Sequence, residues 1–320
     1  MRIAIAVLLL FTSGLKAQTR PVTTAEFNRW MKELSNWGRW GKADELGTLN
    51  LLTPASRQAA ARLVREGVPV SLSHDADKEK APDNARPFVH EMITTSEQPG
   101  ADIFRDSFSI VHHGIMHTHL DALCHFSYQG SSYNGFSIKE VTSKGAARLS
   151  IESARNGIFA RGVLIDAPEL KGVPYLEPGA AIFPEDLDAW EKKTGVRVRP
   201  GDVVLIRTGR WARRMEKGPW SMAERAGLHA SSVAWLHKRD IAVLGSDASA
   251  DVWPSQVEGI QQPVHTLVIV ALGTPILDNV DLEELSRETR KRKRWDFLLT
   301  MSPLTVPGAT GSALNPIAIF

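Results

Sequence analysis

The chain has 320 residues, 43% apolar and 23% charged, with a formal net charge of +2 and a pI near 8.6. This composition excludes disorder over most of the length, and the mild charge excludes a nucleic-acid partner held by bulk electrostatics. A single cysteine excludes an intrachain disulfide.

Met1-Arg2, the apolar run Ile3 to Phe11 and the stretch Thr12 to Ala17 combine a short positive start, a core too short to span a bilayer and a small terminal residue. They predict a secretory signal peptide over residues 1–17, followed by one domain over 18–320 in a periplasmic or secreted protein. An uncleaved anchor is the alternative, because Leu15 is not small and Lys16 is unusual near a cleavage site. No later segment is apolar enough to span a membrane, so no stable membrane association is expected.

Thr24 to Trp37 carries Phe27, Trp30, Met31 and Leu34 at spacings of three and four, which predicts an amphipathic helix ended by Gly38. A second helix is expected from Thr53 as N-cap and Pro54 at the first helical position through an alanine-rich run to Arg65, with Gly67 as stop. Val68 to Leu72 reads as a strand, His74 to Pro87 as a long loop, and Ser107 to His112 as an alternating strand leading into a histidine cluster. Gly162 to Ile165, Val203 to Thr208 and Ile241 to Leu244 read as further strands, with helices over Pro184 to Lys193 and Ala230 to Lys238 between them. Leu267 to Leu272 fits either a helix or a strand. The basic run Arg290 to Arg294 follows an acidic segment and reads as a solvated helix end. Alternation of this kind predicts a single α/β domain with a mixed sheet core flanked by helices.

Residues 112 to 126 hold five of the ten histidines, His112, His113, His117, His119 and His125, together with Asp121 and the lone Cys124. Packing does not account for that density, since such groups cost several kcal/mol to bury without partners. On an extended strand His117, His119 and Asp121 project from one face, about 6 to 7 Å apart. Imidazole with carboxylate suits zinc, manganese or iron, and the lack of paired thiolates favours a catalytic over a structural site. Cys124 reads as a small buried residue. Asp247 and Arg207 read either as substrate-positioning groups or as parts of a turn or buried salt bridge, and Trp37, Trp40 and Trp253 as core or as the lining of an aromatic pocket.

Thr118-His119-Leu120-Asp121-Ala122-Leu123-Cys124-His125 resembles the Thr-His-x-Asp-x-x-x-His core of the cyclase family of metal-dependent hydrolases, which includes bacterial kynurenine formamidases and isatin hydrolases. The likeness extends through Arg39-Trp40-Gly41, Asp44 to Asn50, Tyr133-Asn134-Gly135, Pro200 to Gly209 and Pro307 to Ser312. It implies an α/β fold and a homodimer or homotetramer acting on a small molecule. It also implies metal ligation by His119 and Asp121, and by His265 and Asp278 further on, with His125 as general acid/base. The family's first motif histidine falls on Ile115, so either the site holds one zinc or manganese ion rather than two, which is the expectation, or His113 or His117 supplies the missing imidazole as a substitute ligand. The implied activity is hydrolysis of a C–N bond in a small cyclic or N-acyl aromatic amide, of the arylformamidase or isatin hydrolase type. A lactonase or cyclase acting on a carbonyl ester, or a non-catalytic metal- or ligand-binding homologue, are the alternatives.

Overall fold

The computed structural model describes residues 19–320; the expected signal segment, residues 1–17, lies outside them. Nine strands make one sheet: β1 Pro69–Ser71, β2 His119–Asp121, β3 Ile158–Asp166, β4 Val203–Arg207, β5 Val243–Ser246, β6 Ile276–Asp278, β7 Asp296–Met301, β8 Gly311–Ala313 and β9 Ile317–Ile319. Their order across the sheet is β1-β9-β7-β3-β4-β5-β6-β2-β8. The central four, β3 to β6, run parallel, while both flanks are antiparallel. This is the mixed sheet that the alternating elements predict.

Every residue of β4 and β5 is buried, as expected for short aliphatic runs covered on both faces. Helix Pro184–Thr194 buries Leu187 and Trp190, and the Trp190 indole N–H donates to the carbonyl of Leu164 at 2.9 Å, pinning the helix to β3. The ambiguous run at Leu267 is helical: Pro263–His265 continues into a wide helical turn over Thr266–Leu272 whose residues are all buried. Burial on all sides explains why it has no periodicity to read. At the carboxyl ends of the parallel strands, Arg207 on β4 bonds Asp166 on β3 at 2.9 Å and Glu283 at 2.7 Å.

Several expected boundaries shift. The first helix is Thr24–Glu33, and the second stops at Ala61, because beyond it the N–H groups of Glu66 and Gly67 donate to the carbonyl of the terminal Phe320 rather than along a helix. The strand expected over Ser107 to His112 is Arg105–Ser109, paired with Val89–Thr94 in an outlying hairpin with all five of its residues exposed. Residues 110–118 are irregular, so this strand does not run into the histidine cluster. No helix among the described residues is long and apolar enough to cross a membrane.

Candidate metal centre

Strand β2 is three residues long, fully buried, and held between β6 and β8. Alternation puts His119 and Asp121 on one face, 3.3 Å apart from Nε2 to Oδ1. The His119 Nδ1–H donates to the carbonyl of His117 at 2.8 Å, which fixes the tautomer and leaves Nε2 as the free donor atom. Pairing with β6 sets Asp278 opposite His119.

Two further histidines converge from outside the strand. His113 lies with Nδ1 3.0 Å from Asp121 Oδ1 and Nε2 2.8 Å from the Thr310 hydroxyl. Glycine at 311 permits this approach: a Cβ there would stand 2.8 Å from His113 Cε1 and 2.7 Å from the Leu120 carbonyl oxygen. His265, at the start of the buried helix, has Nε2 3.1 Å from Asp278 Oδ2 and 3.8 Å from Asp121 Oδ2. Its Nδ1–H donates to Asp251, which also accepts the backbone N–H groups of Val264 and His265. Asp251 is a residue that sequence reasoning missed, since nothing in its spacing sets it apart.

The donor atoms form two overlapping groups, His113–His119–Asp121 and Asp121–His265–Asp278, each within 4.8 Å. Ligands about 2.0 to 2.2 Å from a tetrahedral ion stand roughly 3.3 to 3.6 Å apart, close to the contacts above. Both Asp121 oxygens and Asp278 Oδ1 are buried without a hydrogen bond. A carboxylate left in that state is costly unless a cation sits against it. Burial alone would push the Asp121 carboxyl up, but the surrounding imidazoles, His119 foremost, hold it well below the usual range. Burial likewise opposes charge on His265, yet Asp278 and Asp251 raise it well above its ordinary value. Three imidazoles and two carboxylates with no thiolate fit a divalent zinc- or manganese-type ion.

His119, Asp121, His265 and Asp278 are therefore brought together, and His113 joins them. His117 does not. It precedes β2, its ring lies 6.3 Å from Phe88, and its Nε2 has no partner, so the shared face expected for His117, His119 and Asp121 holds only for the last two. His125 stacks parallel on His113 at 3.8 Å, with Nε2 3.8 Å from Asp121 Oδ1, and burial lowers it to about 4. Cys124 is buried and its thiol is pushed up to about 12, which fits a packed residue. Asp247 accepts from the backbone of Thr208 and Gly209 and Arg207 forms the salt bridges already given, so both are engaged structurally. The three tryptophans do not converge: Trp37 donates to Val270, Trp40 lies under Arg39 and Trp253 under Arg225.

Beside the centre lies a cavity of about 510 Å³. Its wall includes His112, His117 and Gly311 together with the apolar side chains of Phe108, Leu304 and Val306. His112 stands 4.3 Å from the His113 ring, so the cavity reaches the neighbours of the ligands.

The sequence matches the family model described as "Putative cyclase" over residues 53–251. A solved structure described as a novel cyclase is 32% identical, with a TM-score of 0.81, covering 91% of this chain and 99% of that one. Isatin hydrolase A from Ralstonia solanacearum is 22% identical with a TM-score of 0.57, covering 84% and 96% of the two chains. The enzyme of that name from Labrenzia aggregata, bound to benzyl benzoate, is 22% identical with a TM-score of 0.55, covering 84% and 98%. At that identity these two bear on the fold alone. No match is found among curated proteins.

Proposed function

The chain belongs to the cyclase family, and from that footing we propose that its His/Asp centre, loaded with a divalent metal, hydrolyses a C–N bond in a small cyclic or N-acyl aromatic amide. The observation that carries this reading is Asp121, a buried carboxylate with neither oxygen hydrogen-bonded, set between two groups of donor atoms. His113, His119, Asp121, His265 and Asp278 would hold the metal. Because Asp121 belongs to both groups, the geometry supports two positions, zinc or manganese, in place of the single ion expected from Ile115. A divalent ion there supplies Lewis acidity to a carbonyl oxygen and to water.

The protein's own groups do the rest. His125, kept neutral by burial, accepts a proton at Nε2 from the attacking water and returns it to the departing nitrogen, a role worth about 10²- to 10⁴-fold. Stacking on His113 fixes the plane of its ring. Phe126, 5.0 Å from both His125 and His265, helps to keep bulk water from the donor atoms. The apolar wall of the neighbouring cavity suits an aromatic or aliphatic ring.

Elemental analysis of purified protein, followed by a panel of N-formyl aromatic amines, isatin-like lactams and lactones, tests the reading. Turnover of lactones alone would move the activity to an ester carbonyl, and bound metal without turnover of any of them would leave a binding protein. We also propose that the chain is exported, on the strength of its first 17 residues, and that it is a homo-oligomer. Exposed Met92, Ile93 and Phe104, on and beside the outlying hairpin, support an intersubunit contact. Amino-terminal sequencing of the secreted form and the mass in solution test these two points.

A further inference from the structure

Arg210 and Arg225 line one small cavity together with Thr208, Met222, Ala226 and Ala248. Both arginines are buried, at 3% and 9% exposure. Arg210 donates through Nη1 to Asn279 Oδ1 at 2.8 Å, but its Nε and Nη2 have no hydrogen-bond partner. The nearest carboxylate to its Nη2, Asp83, stands 3.7 Å away and is bonded at 2.7 Å by Arg214 instead. Arg225 donates through Nη1 to the Met222 carbonyl and lies over the Trp253 ring at 4.9 Å. Its Nε is also unpartnered, and among the described residues it forms no ion pair. Asp247, close by, already accepts from Thr208, Gly209 and Arg210 backbone N–H groups.

Two buried guanidinium groups thus present unmatched N–H donors, and the carboxylates that act on them, Asp83 and Asp247 on Arg210 and Asp251 and Asp278 on Arg225, leave those donors unbonded. Leaving such donors unsatisfied is expensive, and burial already lowers Arg210 to about 10. The space open to the centre of a water-sized particle is about 10 Å³, room for a single small particle and too small for phosphate or an organic acid. We propose that this cavity is a binding site for a monatomic anion, chloride, held between Arg210 and Arg225. Chloride supplies an acceptor for all three unpartnered donors in one atom. Since Arg210 also bonds Asn279, the residue after Asp278, the anion steadies the end of β6 from behind.

The test is a crystal of the full chain soaked in sodium bromide. An anomalous peak between Arg210 Nη2 and Arg225 Nε is expected; a water there, with no bromide, would overturn the proposal. In solution, the wild-type melting temperature should rise by about 3 °C in chloride at roughly tenfold its dissociation constant, relative to gluconate of equal ionic strength. Arg225→Met should lose that difference. An equal response in wild type and variant would also overturn the proposal, and the bromide experiment on wild type decides the matter if the variant does not fold.

Discussion

His113 Nδ1 lies 3.0 Å from Asp121 Oδ1, although the family spacing places the first imidazole at position 115, where this chain has isoleucine. The irregular backbone between Ile110 and Thr118, with Gly114 at φ +151°, brings His113 to the carboxylate from an earlier position. His113→Ala is therefore expected to lower metal retention after dialysis, by more than the roughly 10- to 100-fold in affinity that losing a partner of a ligand costs. His117→Ala should retain metal as the wild type does. Metal content per chain, measured for both, checks the assignment; equal loss in the two variants would contradict it.

His125 touches the donor cluster without belonging to either donor group. His125→Ala should keep its metal and lose about 10²- to 10⁴-fold in kcat on whichever amide or lactone is turned over. Unchanged kcat with metal bound would remove His125 from the proton transfer.

Asp251 acts on the centre through His265, whose Nδ1–H it accepts. Asp251→Asn keeps the size of the side chain but loses its negative charge. Metal affinity is expected to fall about 10- to 100-fold with little change in the circular dichroism spectrum. A variant that binds metal normally would show that the backbone alone holds His265 in place.

Removing metal leaves both Asp121 oxygens and Asp278 Oδ1 buried without a hydrogen bond, with only the neighbouring imidazoles of His113, His119 and His265 against them. Chelation should therefore lower the melting temperature, and added zinc or manganese should restore it in a concentration-dependent way. A stoichiometry near two ions per chain at saturation is expected from the two donor groups, and a plateau at one would refute the pair.

His74 provides the pH test, because both its ring nitrogens are buried without partners and its ring packs 4.1 Å from Trp211. Burial, with the Arg210 charge adding, lowers it to about 4. A histidine depressed in the folded state contributes stability that is complete above its unfolded value of 6.5 and is lost as pH falls through 4, on the order of 2 kcal/mol. Between pH 7 and 4, His74→Phe should lose less melting temperature than the wild type. Parallel curves would mean that other groups set the acid limit.

Much of this was legible because it is local. The parallel strands β4 and β5 stand out as short aliphatic runs, the Thr53-Pro54 start is a cap signal, and His119 with Asp121 obeys the strand period of two. The rest depends on tertiary contacts. Ser107 to His112 alternates like a half-buried strand, yet the strand that forms, Arg105–Ser109, is exposed throughout, so the pattern misreads as a lead into the cluster. The place of His113 depends on Gly311, far along the chain, and that of His265 on Asp251 and on a buried helix with no polar face. His117 shares the residue type and the spacing of a ligand, but the strand begins only at His119.

The narrow β2, clasped by β6 on one side and β8 on the other, also dictates when the centre can come into being. His113 and Thr310, hydrogen-bonded at 2.8 Å, are 197 residues apart in the chain. During synthesis His119 and Asp121 emerge long before the residues of β8 that complete their strand pairing. An ion supplied before His265 and Asp278 have emerged meets only part of its donors. Full metal loading thus waits on residues far along the chain, and the moment at which stable binding first appears reports the pairing of β2 with β6 and β8.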